Sequence, residues 1–218
     1  MRIVTLPGVF RPISDTWLLV RALLHERLDE DTTVLDVCTG SGAVAVAAAR
    51  AGAGAVTAVD VSRRAVLSVR CNARLNGVRI DARRSDLFGA LGPERFDVIT
   101  SNPPYVPDPR GDALPRHGAR RAWDAGSNGR ALLDRVIAEA PAHLRAGGRL
   151  LVVHSDICGT AASLEGMRAA GLAPELVAAQ RGPLGPLMRA RREHLVARGS
   201  LAAGAATEQV VVIAARAA

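Results

Sequence analysis

The 218-residue sequence contains no lysine, so all 28 of its basic residues are arginine. This bias indicates a GC-rich coding sequence, which makes the net charge of +7 weak evidence about function. A basic surface would still fit nucleic acid or a ribosome-bound partner. Aromatic residues make up only 3% of the chain, whereas hydrophobic residues make up 49%. The composition therefore predicts an interior of Ala, Val and Leu, which suits helices packed on a parallel sheet.

Cysteines and long apolar runs are also scarce. Cys38, Cys71 and Cys158 are odd in number and far apart, so they suggest neither a disulfide framework nor a zinc site. The longest apolar run, 43–49, is too short to span a bilayer, and the N-terminus lacks the apolar core of a signal peptide. We therefore expect a soluble, cytoplasmic protein with no metal and no membrane partner.

Short apolar strands alternate with helical stretches over most of the chain. The pattern predicts strands at 34–37, 55–60, 79–85, 96–100 and 150–154, and helices at 14–28, 43–51, 62–75 and 129–144, with Ser14 as a helix cap. Such alternation implies right-handed crossovers and a parallel sheet. The last two strands, 172–179 and 210–214, lack a clear crossover helix, which favours an antiparallel edge pair. The predicted fold is a doubly wound, seven-stranded, mostly parallel α/β sheet of the Rossmann-like type.

We expect a single domain over residues 1–218, with three special segments. They are a helical N-terminal segment at 1–30, a substrate loop at 106–127 and an insertion at 182–206 that carries a basic run at 189–192. Long irregular loops in compact domains are usually functional or disordered. The arginines of the loop either face an anionic partner or belong to a solvated, flexible lid; they are Arg110, Arg116, Arg120 and Arg121. Trp123 is expected to pack the loop down, and neither His117 nor His154 is favoured as a catalytic group.

A glycine-containing turn between the first strand and its helix predicts a nucleotide-like ligand. The turn Gly40-Ser41-Gly42 follows Asp36, at the strand end where doubly wound sheets bind such ligands. Asp60 ends the second strand, where its carboxylate can accept hydrogen bonds from ribose hydroxyls. Asp86 follows the third strand and can accept from an adenine amino group, beside an apolar contact from Leu87. Cys38 replaces the first glycine of the dinucleotide fingerprint, so adenosine without a pyrophosphate fits better. The cofactor predicted is S-adenosylmethionine rather than NAD.

The sequence Asn102-Pro103-Pro104-Tyr105 directly follows the fourth strand. The lone pair of an amide or aromatic amine nitrogen is delocalised, so this nitrogen needs fixed acceptors for its N–H groups before it can attack a sulfonium methyl. The side-chain oxygen of Asn102 and the carbonyl of Pro103 can serve as these acceptors. Consecutive prolines hold them still, and Tyr105 can lie against the planar acceptor. Methyl transfer from a sulfonium needs no strong general base, and none is visible near the motif.

With these motifs the chain resembles the HemK family of protein glutamine N5-methyltransferases. It is similar to the short branch without an N-terminal helical domain, because only 35 residues precede Asp36. The segment 10–16, Phe-Arg-Pro-Ile-Ser-Asp-Thr, resembles that branch's Tyr-x-Pro-x-x-Asp-Thr motif, and 122–130 resembles the segment after its catalytic loop. The resemblance covers residues 10 to about 155 well and the C-terminal part loosely.

The resemblance implies a role for each site residue. Cofactor contacts fall to Thr16, Asp36, Cys38, Gly40, Asp60, Asp86, Leu87 and Asn102, and substrate contacts to Asn102, Pro103 and Tyr105. Cys38 stands where the family usually has glycine, so only its backbone is expected to matter. The short branch methylates the glutamine of a Gly-Gly-Gln motif in a translation termination factor, with a small zinc-binding activator subunit as partner. Because a GC-rich sequence of this kind fits a bacterium, where that factor is absent, the acceptor cannot simply be inherited.

The sequence is also compatible with other activities. The same Asn-Pro-Pro-Tyr geometry serves the exocyclic amine of adenine, so an adenine N6-methyltransferase acting on RNA or DNA is the first rival. A small-molecule N-methyltransferase is the second, and it would show an enclosed pocket under the loop. A catalytically silent subunit that binds the cofactor and activates a partner is the third, although the intact motif at 102–105 argues against it.

Overall fold

The computed structural model describes residues 1–115 and 118–218. Seven strands form one sheet: β1 (Thr33–Val37), β2 (Ala55–Asp60), β3 (Asp81–Arg84), β4 (Phe96–Ser101), β5 (Leu144–Ser155), β6 (Leu172–Pro183) and β7 (Thr207–Ala217). Their order across the sheet is β3-β2-β1-β4-β5-β7-β6. The first five are parallel, and β7 runs antiparallel between β5 and β6. The predicted doubly wound α/β sheet with an antiparallel C-terminal pair is confirmed.

Helices α1 (Ser14–Leu23), α2 (Ala43–Arg50), α3 (Arg63–Leu75), α4 (Ala131–Glu139) and α5 (Thr160–Ala169) cover the two faces of the sheet. The short helices α6 (Pro186–Ala190) and α7 (Arg192–Ala197) instead contribute Met188 and Leu195 to a separate apolar cluster. Neighbouring residues of β1 enter different cores: Val34 packs with α1, α2 and α3, whereas Leu35 packs with α4 and α5. Successive side chains of a strand point to opposite faces, so an unbroken apolar strand needs cover on both sides.

Four local predictions differ from the structure. Ser14 is not the cap of α1, because Ile13 occupies that position and no side chain caps the helix. The helix ends at Leu23 rather than 28, and the helix predicted at 129–144 is shorter because its last residues form a 3-10 turn at Ala140–His143 and the start of β5. The helix α5 was not predicted, since its buried residues are only Ser163 and Met167 and the apolar periodicity is weak.

The order of the strands places a crevice between β1 and β4. From β1 the chain winds outward in one direction through β2 and β3, then returns to start the other half at β4. The helices after β1 and β4 lie on opposite faces, so the carboxyl ends of these two strands are left open to a ligand. Asp36 on β1 is in register with Thr100 on β4, which brings the two predicted motifs side by side.

Candidate active site

One cavity of about 1160 Å³ opens at the carboxyl ends of β1 to β4. All ten predicted site residues line it: Thr16, Asp36, Cys38, Gly40, Asp60, Asp86, Leu87, Asn102, Pro103 and Tyr105. They come from positions spread over 90 residues of sequence, between α1 and the loop after β4. The fold thus brings the predicted cofactor and acceptor residues to one cavity, large enough for a nucleoside-sized ligand together with part of a second molecule.

Asp36 lies at the bottom of this cavity and is buried. Its two carboxylate oxygens accept hydrogen bonds from the hydroxyls of Thr39 at 2.6 Å and Thr100 at 2.9 Å. Burial raises the pKa of Asp36 to about 6, and the two threonine hydroxyls oppose that rise. Asp36 therefore ties the glycine-containing turn to β4 and carries negative potential into the cavity at neutral pH.

The turn after β1 adopts the left-handed conformation at both predicted positions. Cys38 has φ of 57° and Gly40 of 54°. A side chain is strained in this region, which explains why a glycine would suit position 38 and why only the backbone of Cys38 is demanded by the turn. Burial raises the pKa of the Cys38 thiol, so it stays protonated.

Asp60 links the same turn to β2. One carboxylate oxygen accepts the Gly40 N–H at 3.0 Å and the other the Ser62 N–H at 2.8 Å. Burial raises the pKa of Asp60, and these N–H groups and the nearby Arg121 guanidinium counteract the rise. A carboxylate held by backbone N–H groups has further lone pairs for hydroxyl donors, as a ribose would need.

Asp86 and Leu87 occupy the mouth of the cavity next to β3. The Asp86 carboxylate is exposed and pairs with Arg135 at 3.1 Å. Leu87 is buried and has a left-handed φ of 45°, which turns its side chain beneath the cavity rather than into solvent. An acceptor oxygen beside an apolar surface is a suitable environment for the amino edge and the face of an adenine ring.

Asn102 begins the motif after β4 and reaches across to α1. Its side-chain Nδ2 donates to the Thr16 hydroxyl at 3.2 Å. Within residues 1–115 and 118–218, no donor contacts its Oδ1. The amide is therefore oriented with its nitrogen toward α1 and its oxygen available to a ligand in the cavity.

Tyr105 is half-buried and bound at both ends. Its hydroxyl donates to the Asp15 carboxylate at 2.7 Å, and its carbonyl accepts from the Cys158 thiol at 3.0 Å. Burial, followed by the charge of Asp15, raises the pKa of the Tyr105 phenol well above its ordinary value. Sequence reasoning found no carboxylate beside this motif. Asp15 is one, and its only sequence signal was its place in the 10–16 segment.

The substrate loop is held by a network of buried carboxylates. Asp124 is fully buried and accepts from Arg110, Arg120 and Arg191, the first two at 3.2 and 2.6 Å. Asp108, also buried, accepts from Arg110 at 2.8 Å and Arg120 at 2.7 Å. Arg110 and Arg120 therefore bind the loop's own carboxylates instead of facing outward as a cationic patch free for an anionic partner.

The remaining predictions for the loop have separate outcomes. Arg121 lines the cavity. Arg116 and His117 lie outside the described residues. Trp123 packs against the apolar cluster of the insertion, as expected for a residue that holds the loop down.

The insertion between β6 and β7 forms a wall of the same cavity, which sequence reasoning did not foresee. Leu187 and Met188 of α6 line it together with Glu208 of β7. Arg191 donates to the carbonyl of Pro107 at 2.6 Å as well as to Asp124, and the His194 ring contacts the carbonyl of Ser127 at 3.0 Å. These bonds fasten the insertion to the substrate loop. No local pattern in the sequence indicated this pairing of segments more than 60 residues apart.

His154 does not reach the cavity. It is fully buried on β5, its Nδ1 contacts the carbonyl of Ser155 at 2.9 Å, and burial lowers its pKa to about 4. Among the described residues no group of three metal-ligating side chains is arranged to hold an ion. Over the same residues, no helix is long and apolar enough to cross a membrane.

The fold and this cavity define a class I, S-adenosylmethionine-dependent methyltransferase. Comparison with known proteins agrees: residues 1–113 match the methyltransferase small domain family. The chain belongs to that family.

Curated relatives carry names that point to glutamine methylation. A Methanocaldococcus jannaschii protein named for N5-glutamine methylation is 33% identical over 182 residues, which is 84% of this chain and 90% of that protein. The release factor glutamine methyltransferase of Geobacter sulfurreducens is 37% identical over 68% of this chain but 54% of its own length. The ribosomal protein uL3 glutamine methyltransferase of Bradyrhizobium diazoefficiens is 40% identical over 54% of this chain and 39% of its own length. The match with this chain thus spans about half of the length of the first bacterial relative and less than half of the length of the second.

Solved structures show the same fold. The E. cuniculi Mtq2–Trm112 complex, described as responsible for methylation of the termination factor eRF1, aligns over 97% of this chain and 99% of that one, with a TM-score of 0.65 and 22% identity. The T. thermophilus 16S rRNA N2 G1207 methyltransferase, solved with AdoMet and guanosine, aligns over 98% of this chain and 46% of that one, with a TM-score of 0.61 and 24% identity. At these identities the likeness concerns the fold alone.

Proposed function

We propose that this protein transfers the methyl group of S-adenosylmethionine to the side-chain amide nitrogen of a glutamine in a protein. The orientation of Asn102 carries the proposal. Its Nδ2 is bound to Thr16, so its Oδ1 is the atom presented to the acceptor side of the cavity. An oxygen that accepts an N–H at this position is what a delocalised amide nitrogen needs in order to be fixed for attack.

The residues after Asn102 complete the acceptor site. We assign the second N–H of the acceptor to the carbonyl of Pro103 and the face of its planar amide to the Tyr105 ring. Tyr105 is bound at its hydroxyl and at its carbonyl, which restricts the ring to one place. Bound S-adenosylmethionine would supply the methyl group: the nitrogen–carbon bond would form as the carbon–sulfur bond breaks, leaving a neutral thioether, and the extra proton of the nitrogen would pass to water.

The cofactor residues follow the order of the strands. S-adenosylmethionine supplies a sulfonium methyl group, and we assign its ribose to Asp60 and its adenine to Asp86 and Leu87. Gly40 and Cys38 provide the turn, and Asp36 organises it through Thr39. Thr16, which lines the cavity beside Asn102, would contact the cofactor from the side of α1. The bonds that Asp60 accepts from the backbone hold its carboxylate toward the cavity before any ligand binds.

We place the acceptor glutamine in a protein of the translation machinery, a release factor or ribosomal protein uL3. The names of the relatives support this choice. The cavity has one wall from the substrate loop and another from the insertion, so the acceptor has to present its glutamine on a segment narrow enough to pass between them. We further propose a cytoplasmic location and a single domain, as expected from the sequence.

An activator subunit is part of the proposal, since a structural neighbour was solved with Trm112. A strand that pairs with such a subunit should expose apolar side chains. The edge strand β3 is charged, with Arg83 bound to Asp81 and Glu94 at 2.6 Å each. The edge strand β6 exposes Leu176 and Val177 instead, so it is the better edge for this role.

The experiment uses methyl-radiolabelled S-adenosylmethionine with three acceptors from the source organism: recombinant release factor, recombinant uL3 and total lysate. Label that is lost to protease and recovered as N5-methylglutamine after complete proteolysis supports the proposal. Label lost to nuclease would replace it with adenine N6 methylation, and label in a small molecule would replace it with small-molecule N-methylation.

A pair of asparagine variants tests the mechanism. Asn102→Ala should lower the labelling rate at least about 10²-fold and cofactor affinity by a much smaller factor, because the main interaction lost is the one that fixes the acceptor. Asn76→Ala is the matched control, since Asn76 lies at the end of α3 and bonds the backbone of Arg2. Full activity of Asn102→Ala would remove Asn102 from the mechanism.

A further inference from the structure

Asp15 is a buried carboxylate that the proposed reaction leaves without a role. It lies in the first turn of α1, lines the cavity and is 3% exposed. No basic side chain among the described residues forms an ion pair with it. Instead it accepts from the Tyr105 hydroxyl at 2.7 Å, the Thr16 N–H at 2.5 Å and the Thr16 hydroxyl at 3.2 Å. Burying a carboxylate without a cation is costly, so its presence at this point calls for an explanation.

The explanation lies in the direction of the hydrogen bonds. Both hydroxyls that contact Asp15, those of Tyr105 and Thr16, donate to its side-chain oxygens, and a hydroxyl has only one hydrogen to donate. Once the Thr16 hydroxyl has used its hydrogen in this way, only its lone pairs remain for Asn102. The Asn102 amide must then turn its Nδ2 toward Thr16, as observed at 3.2 Å, and its Oδ1 the opposite way.

We propose that Asp15 is a positioning residue that fixes the direction of the hydrogen bonds in the acceptor site, through Thr16 to Asn102 and directly to Tyr105. This inference rests on the proposed function, because it is the acceptor amide that Asn102 and Tyr105 would hold. Asp15 itself acts on the acceptor only through Tyr105 and through Thr16, which bonds Asn102. It takes no proton in the reaction. A neutral amide at position 15 could donate as well as accept, so it would allow both orientations of the Asn102 amide.

The first test is spectroscopic and needs no activity. Tyr105 is the only tyrosine in the chain, so an absorbance titration of the phenol reports on it alone. The Asp15 charge and hydrogen bond raise the pKa of that phenol in addition to burial. Asp15→Asn should therefore lower the phenol pKa relative to the wild type. Asp31→Asn, a substitution at an exposed turn, should leave it unchanged. An unchanged titration in Asp15→Asn would overturn the contact on which the proposal depends.

The second test is kinetic, with the protein acceptor that the wild type labels. Asp15→Asn should lower kcat by about 10-fold to 10²-fold, the range expected when a reacting group loses its fixed geometry. Affinity for S-adenosylhomocysteine, measured by calorimetry, should change by less than about 3-fold, a margin small beside the loss in kcat. A fall in cofactor affinity that accounts for the whole loss would overturn the proposal in favour of a merely structural role.

A comparison of multiple mutants tests whether Asp15 acts on kcat through Thr16 and Tyr105 or independently of them. In the background Thr16→Val with Tyr105→Phe, both bonds to side-chain hydroxyls are absent, so adding Asp15→Asn should cost almost nothing further in kcat. The same fold-loss in this background as in the wild type would overturn the proposal. If the wild type labels no protein at all, the proposed function fails while the phenol titration still decides whether Asp15 controls Tyr105.

Discussion

Arg191 connects the insertion to the substrate loop, and removing its charge should loosen both. Its side chain is 10% exposed and bonds Asp124, which is fully buried, and the carbonyl of Pro107 at 2.6 Å. Breaking a buried ion pair from one side typically costs about 3–5 kcal/mol, because the other charge stays buried. Here Arg110 and Arg120 still contact Asp124, and both are about half exposed. We therefore expect Arg191→Met to lower the free energy of unfolding by about 2–3 kcal/mol.

Methionine is the informative substitution because it keeps the apolar stem of the side chain and removes only the charge and the donors. Urea unfolding should show a lower midpoint with the same dependence on denaturant. Hydrogen exchange should quicken at the amides of Val106, Asp108 and Ala125, whose bonds hold the two sides of the loop together. The rate of methyl transfer should also fall in this variant, since the loosened loop follows Tyr105 directly.

Arg192→Met serves as the control, because Arg192 forms no ion pair among the described residues. It should change the free energy of unfolding by no more than about 0.5 kcal/mol. If Arg191→Met were as mild as this control, with unchanged exchange at the three loop amides, the reasoning would be refuted. The loop would then be held by Arg110 and Arg120 alone.

Three further predictions concern buried groups and turns. The pKa of Asp36 is raised to about 6 in the folded state, so the folded state loses about 3 kcal/mol of stability as pH rises from about 4 to 6. The pKa of His154 is lowered to about 4, so the folded state loses about 3 kcal/mol of stability as pH falls from about 6.5 to 4. Urea titrations should therefore show Asp36→Asn gaining stability over the wild type toward pH 7, and His154→Gln gaining toward pH 4; parallel curves would contradict both. Gly129→Ala should destabilise by more than about 1 kcal/mol and slow methyl transfer, because φ is 74° and a Cβ would lie 2.4 Å from the Tyr105 carbonyl; wild-type kinetics and melting would refute this. Cys38→Gly should raise stability by up to about 1 kcal/mol by relieving the left-handed strain at that position, and a lower melting temperature would show that the buried side chain matters more.

The sheet and the cavity could be predicted because their signals are local. Unbroken apolar strands separated by amphipathic helices predict a covered parallel sheet, and acidic residues at successive strand ends must meet at one edge of it. This is why Asp36, Asp60, Asp86 and Asn102 could be assigned to one cavity without coordinates. Local signals also failed where they were weak, as for α5, which buries only Ser163 and Met167, and for Ser14, which is the first residue of α1 rather than the residue before it.

What the sequence by itself determined, then, is the class of fold, the strand ends that carry the chemistry and the motif at residues 102–105. Only the tertiary structure decided the distant partners of these groups: Asp15 beside Tyr105, Thr16 beside Asn102, and Arg191 beside Asp124. Periodicity and turn residues act over a few neighbours in the chain, so they leave a signal that can be read locally. A hydrogen bond between residues 67 or 90 positions apart depends on how whole elements pack, and no local pattern encodes it.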